Sequence, residues 1–175
     1  ESSSPDGGPE KLSGSYSWTD SPNGNYSDNT SASITSVSFS LAEATNSMLL
    51  FDHRYSLEYS YDFGYVEVST NAGGTWTILK SYTGSQTAWT SVFVDLSAYD
   101  DAESVQVRFR LETDYSVVKD GWYVDDVRII SDATALIKLS VSLNASNDTA
   151  LIKLDVENEL KLAQVGYGIN WSDPD

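Results

Sequence analysis

The sequence predicts an all-β protein, an antiparallel β-sandwich of jelly-roll type with a C-terminal β-hairpin extension, and three observations carry this. Apolar residues recur at every second position in one segment after another, the period of a half-buried strand. Clusters of Gly, Asn, Asp and Ser separate those segments, as turns require. No stretch shows the i, i+3, i+4 spacing of an amphipathic helix. Short strands with one apolar and one polar face bury the apolar side by stacking in two layers.

Residues 1–15, ESSSPDGGPEKLSGS, form a polar Pro/Gly/Ser arm that is flexible or held by a partner. The sandwich is expected over 16–131. In ITSVSFSL (34–41), Val37, Phe39 and Leu41 share a face, and in MLLFDHRYSLEYS (48–60), Leu49, Phe51, His53, Tyr55, Leu57 and Tyr59 do. YVEVST (65–70) runs through the tight NAGG turn into TWTIL, and TSVFVDL (90–96) is a further strand. VQVRFRLE (105–112) alternates most cleanly, with Val105, Val107, Phe109 and Leu111 inward and Gln106, Arg108, Arg110 and Glu112 outward.

KDGWYVDDVRII (119–130) closes the series and poses a problem. Strict alternation puts Trp122, Val124, Asp126 and Arg128 on one face and Tyr123, Asp125, Val127 and Ile129 on the other. Either way one aspartate enters the core. A bare buried carboxylate is costly and demands a cation, hydrogen-bond donors or a proton. An ion pair from Arg108 or Arg110 to Asp125 is one answer; a hard cation is another.

Residues 132–175 differ in texture. TALIKLSV (134–141) returns as TALIKLDV (149–156) across the turn-like NASND (144–148), which reads as a hairpin, and ELKLAQVGYGINW (159–171) is a candidate third strand. So small a piece lacks a core of its own and must pack on the sandwich or on something else. Within the two copies only Lys138, Lys153 and Asp155 are charged, although exposed edges are usually blunted by charge or proline. Self-association by strand addition through residues 132–175, helped by the N-terminal arm, is therefore expected.

Charge narrows the function. Ten Lys+Arg stand against 26 Asp+Glu, a net charge of −16 and a pI near 4.1, so nucleic acid and anionic membranes are excluded as partners and cations are favoured. No apolar run reaches the roughly 20 residues of a membrane helix, so no membrane insertion is expected. The chain opens on Glu1 and is read as processed or trimmed. Five Asn-X-Ser/Thr sequons, at Asn25, Asn29, Asn144, Asn147 and Asn170, point to a glycosylated, secreted or cell-surface protein. No cysteine is present, so no disulfide holds it together. His53 is the single histidine and falls on an apolar strand face, which removes zinc sites, Cys–His pairs and Ser–His–Asp triads. No pair of carboxylates is singled out for acid–base work, so no catalytic residue is expected and the protein is read as a non-enzyme.

Four segments, SWTDSPNGNYSDNT (17–30), LLFDHRYSLEYSYDFGYVEVSTNAGGTWTIL (49–79), WTSVFVDLSAYDDAESVQVRFRLETD (89–114) and DGWYVDDVRI (120–129), fall in the order of a known module. Over residues 15–130 the chain resembles the MAM-like jelly-roll modules appended to secreted bacterial and archaeal proteases, such as the immune inhibitor A-type enzymes. The cysteines of animal MAM domains are missing here. The resemblance implies a non-catalytic extracellular module with structural calcium, in which Asp20 and Asp62 converge on Asp125 and Asp126. It also implies core places for Trp18, Trp76, Trp89 and Trp122, leaving Trp171 as the potentially exposed one. Two roles follow. The first is a calcium-stabilised structural subunit of a filament, tube or layer; the second is an accessory glycan- or protein-binding module of a secreted enzyme.

Overall fold

The computed structural model describes residues 17–22 and 24–133, with the backbone of two further strands, 137–143 and 150–156. In chain order the strands are β1 (Trp18–Thr19), β2 (Ser31–Thr35), β3 (Ala44–Ser56), β4 (Phe63–Ser69), β5 (Thr77–Tyr82), β6 (Ser85–Asp95), β7 (Gln106–Glu112), β8 (Gly121–Ala133), β9 (Ile137–Leu143) and β10 (Ala150–Val156). A single 3₁₀ turn, Ser97–Tyr99, is the one helical piece among the described residues. Sheet order is β1-β8-β3-β6 in one layer and β2-β7-β4-β5 in the other, all antiparallel, while β9 and β10 form a two-stranded sheet. The arm, the sequons at Asn144, Asn147 and Asn170, and Trp171 lie outside the described residues; Asn25 and Asn29 are exposed.

The two layers close on Leu49, Phe51, Val66, Val94, Leu96, Val107, Phe109, Trp122 and Val124. Burying side chains of this size stabilises by about 1.5–3 kcal/mol each, which offsets the entropy of ordering the strands. Val105, Val107, Phe109 and Leu111 face inward as their alternation predicts. Gly64 permits a close approach between the layers: a Cβ there would meet the Trp122 ring at 2.7 Å.

Several local expectations are corrected. The strand lies at 31–35 and shares only Ile34 and Thr35 with ITSVSFSL; Phe39 makes an isolated bridge to Val105, Leu41 is buried, and Val37 is exposed. The strand expected over 48–60 stops at Ser56, and Tyr59 projects from the following turn. Trp76 and Trp89 leave the core for the sheets' outer surfaces, each beside an arginine: Arg108 lies 4.1 Å over Trp76 and Arg54 6.0 Å from Trp89.

Nor do Arg108 and Arg110 reach Asp125. Both turn to the outer face of the other sheet and grip buried Glu67, at 2.7 and 3.0 Å. Burial opposes the Glu67 charge, but hydrogen bonds from Arg110 and Arg108 more than offset it and hold that carboxyl below its usual range.

The aspartate problem in β8 is solved by the backbone. Between Asp125, opposite Asp52, and Arg128, opposite Leu50, β8 carries one residue more than β3, and Asp126 takes φ 49°. This β-bulge switches the phase of the strand. Trp122 and Val124 before it, and Val127 and Ile129 after it, therefore all pack on the same core. Asp125 joins Tyr123 on the opposite face, and neither aspartate enters the hydrophobic interior.

Candidate metal centre

Three loops meet at one end of the sandwich: 20–30, 57–62 and 113–120. The second is a tight turn closed by the Tyr61 and Asp62 N–H groups donating to the Glu58 carbonyl, at 3.4 and 3.1 Å, with Ser60 at φ 64°. That turn swings the Asp62 side chain fully inside. Its Oδ2 accepts the Tyr26 hydroxyl at 2.5 Å, and its Oδ1 accepts the Asp114 N–H at 2.8 Å. Tyr26 itself is anchored by its N–H to the Lys119 carbonyl at 3.1 Å, and its Oη accepts the Glu58 N–H at 3.1 Å. One buried carboxylate and one buried phenol thus tie all three loops together. Burial, then the Asp62 hydrogen bond, pushes the Tyr26 phenol well above its ordinary pKa.

Glu58, Asp62 and Asp114 each place a carboxylate oxygen within 4.8 Å of the other two. Oxygen ligands 2.3–2.6 Å from a calcium ion stand up to about 5 Å apart, so the spacing suits a hard cation. Glu58 Oε2 is buried with no hydrogen-bond partner. Burial, then Asp114 and Asp62, raises the Glu58 pKa, with Lys119 opposing. A positive ion among the three would reverse the repulsion that they exert on one another.

Of the four aspartates expected to meet, Asp62 alone belongs to this trio. Asp125 lies buried on the outer sheet face and accepts the Asp126 N–H at 2.8 Å. Asp20 closes the start of β8 by accepting the Trp122 N–H at 2.7 Å. Its carboxyl is pushed up to about 6, chiefly by burial, with Asp120 adding to the effect. Glu58, Asp114 and Tyr26 were not legible as a site. Glu58 and Asp62 do stand four apart around a tight turn, but nothing local announces Asp114, more than fifty residues downstream.

His53 is a core residue, as its strand face predicts. It accepts the Trp122 indole N–H at 3.2 Å among Phe51, Tyr55 and Tyr82, and burial lowers its pKa to about 4. Asp20 and His53 then pull stability in opposite directions with pH. His53 takes up its proton more readily when unfolded, so stability is lost as pH falls from about 6.5 towards 4. Asp20 takes up its proton more readily when folded, so stability is gained from about 6 towards 3.8. Each shift is worth roughly 2 kcal/mol between pH 7 and 4.5, so the two nearly cancel. Asp20→Asn is therefore expected to stabilise the protein by ~2 kcal/mol at pH 7 and to expose the full acid sensitivity of His53. Urea denaturation at pH 7 and 4.5 measures both. A variant less stable than the parent at pH 7 would mean that Asp20 holds a cation.

Fold and site define a class: an antiparallel β-sandwich module whose loop end gathers carboxylates. The family follows from comparison. Residues 27–130 match Reelin subrepeat B, and the chain belongs to that family. It is also 34% identical over 112 residues to Bacillopeptidase F of Bacillus subtilis (strain 168), a match covering 64% of this chain and 8% of that protein. The chain thus corresponds to a small part of that relative's length. The family match names neither MAM nor immune inhibitor A modules.

Proposed function

We propose that this is a non-catalytic, extracellular accessory module, of the kind appended to a secreted enzyme, whose loop end is stabilised by calcium. One observation carries the metal: Glu58, Asp62 and Asp114 converge on a point framed by the buried Asp62–Tyr26 pair. The similarity to a short part of a peptidase supports the accessory role over a filament subunit. The mouth between β1 and β2 speaks against catalysis, being lined by Trp18, Ala32, Ile34, Phe109, Leu111 and Trp122 with Asp20 as its one carboxylate. Sequons at exposed Asn25 and Asn29 suit an extracellular surface. Among the described residues no helix is long and apolar enough to cross a membrane.

Thermal melting with calcium, magnesium or EDTA tests this reading. Calcium at 100 times its Kd adds about 2.7 kcal/mol, a rise of roughly 5–10 °C for a chain of this size. Magnesium, which wants octahedral geometry and retains water, should do much less. Identical melting in all three conditions would remove the calcium.

Self-association by strand addition is a second reading, favoured by a specific observation. Among the described residues β1 pairs with Tyr123 and Val124 alone on its side of β8, while β9 and β10 pair with each other. Sedimentation of the intact chain and of one ending at residue 133 separates the two readings. Assembly lost on truncation, with the melt unchanged, supports strand addition; a monomeric intact chain at high concentration with calcium rules it out.

A further inference from the structure

Nine large apolar side chains are exposed among the described residues, and five of them, Tyr59, Tyr61, Tyr115, Val117 and Val118, sit in the two loops tied by the Asp62–Asp114 hydrogen bond. The three tyrosines stand out by 74%, 63% and 77%. Tyr59 rests its ring edge over Gly84, and the Ser60 N–H holds the turn to Thr83 Oγ1 at 2.8 Å. Val117 adopts φ 57°, a left-handed conformation that a β-branched residue resists. The loop therefore keeps an exposed, strained valine where glycine or asparagine would be easier, and such strain gathers at functional sites. Scattered apolar residues need no explanation, but five of the nine gathered on two linked loops are a concentration at one end of the sandwich.

Resting on the accessory-module reading, we infer that this loop end docks a cationic polypeptide surface, one presenting Arg or Lys side chains to Tyr59, Tyr61 and Tyr115. Tyrosine is the interface residue among the large side chains: rigid, amphipathic and enriched in hot spots. Its ring face carries negative potential and attracts guanidinium and ammonium groups. The surrounding charge has the same sign, with Asp20, Asp28, Glu58, Asp62, Asp114 and Asp120 against Lys119 on these loops. The whole chain, at −16, stays strongly negative after one divalent cation binds, so it steers basic partners in and repels acidic ones.

The test is fluorescence anisotropy with labelled hexa-arginine, hexa-glutamine as the uncharged control, and soluble neutral polysaccharide as competitor. Hexa-arginine is expected to bind, more weakly as salt rises, while hexa-glutamine does not. The triple variant Tyr59→Ser/Tyr61→Ser/Tyr115→Ser removes rings without changing charge and should lower affinity roughly tenfold or more. Tyr59→Phe/Tyr61→Phe/Tyr115→Phe keeps the rings and should stay within about twofold, which separates lost contact from any lost stability. Asp100→Asn/Asp101→Asn, away from these loops, should bind like the parent. Equal binding by the serine variant, binding of hexa-glutamine, or displacement by polysaccharide would overturn the inference. Repeating the titration in EDTA keeps the readings apart. Ring-dependent binding that persists there, with a melt indifferent to calcium, upholds the docking surface and removes the metal alone.

Discussion

Asp62→Ala is expected to cost ~3 kcal/mol or more and to abolish the stabilisation by calcium. The carboxylate is fully buried and accepts two hydrogen bonds, from the Tyr26 hydroxyl and the Asp114 N–H. Truncation strands the Asp114 N–H and leaves the Tyr26 hydroxyl with only the long contact to the Val117 carbonyl, at 3.4 Å, and each unsatisfied buried group costs about 1–3 kcal/mol. The loss propagates because Tyr26 also receives the Glu58 N–H, so the turn that presents Glu58 loosens with it. Asp28→Ala, on an exposed residue of the same loop end, should stay within ~0.5 kcal/mol. Urea denaturation with and without calcium compares them. Equal small losses, with the calcium response intact in both, would show that Asp62 neither holds the loops nor binds the ion.

Gly121→Ala is expected to be comparably severe, at ~3 kcal/mol or more, for an unrelated reason. Gly121 has φ 101°, where an L side chain costs of order 1–3 kcal/mol. An added Cβ would also lie 2.6 Å from both carboxylate oxygens of Asp20, whose Oδ1 is fixed by the Trp122 N–H. Moving that carboxylate aside breaks the cap on β8 just where Trp122 enters the core. Asp20→Ala in the same chain relieves the collision and leaves the backbone strain, so the double variant should lose less than the sum of the single ones. Strict additivity in a double-mutant cycle would mean that the contact with Asp20 is irrelevant and the dihedral alone matters.

Sequence reading succeeded where the determining physics is local. Alternation along 105–112 revealed which side chains of β7 face inward, because a strand's pleat fixes that from one residue to the next. His53 was placed on a core face for the same reason. Alternation failed where the backbone departs from its period. The bulge at Asp125 and Asp126 adds a residue against β3, and a phase rule counted through it assigns every later side chain to the wrong face.

The candidate metal centre shows the same division. Composition alone made the protein acidic and cation-seeking, and only the family resemblance suggested Asp62, grouped there with Asp20, Asp125 and Asp126. Its partners Glu58, Asp114 and Tyr26 were not legible, because they come from three loops separated by up to 88 residues, from Tyr26 to Asp114. Likewise the charge alternation of β7 predicted outward arginines, but their partner, Glu67, is set by which strand lies beside β7 in the sheet. By itself, then, the sequence determined the class of fold, the strand faces wherever alternation runs unbroken, as in β7, and the sign of the charge, each a property summed over near neighbours. The tertiary structure decided which carboxylates meet, because that depends on strand order and loop closure, which bring distant residues together and leave no local period to read.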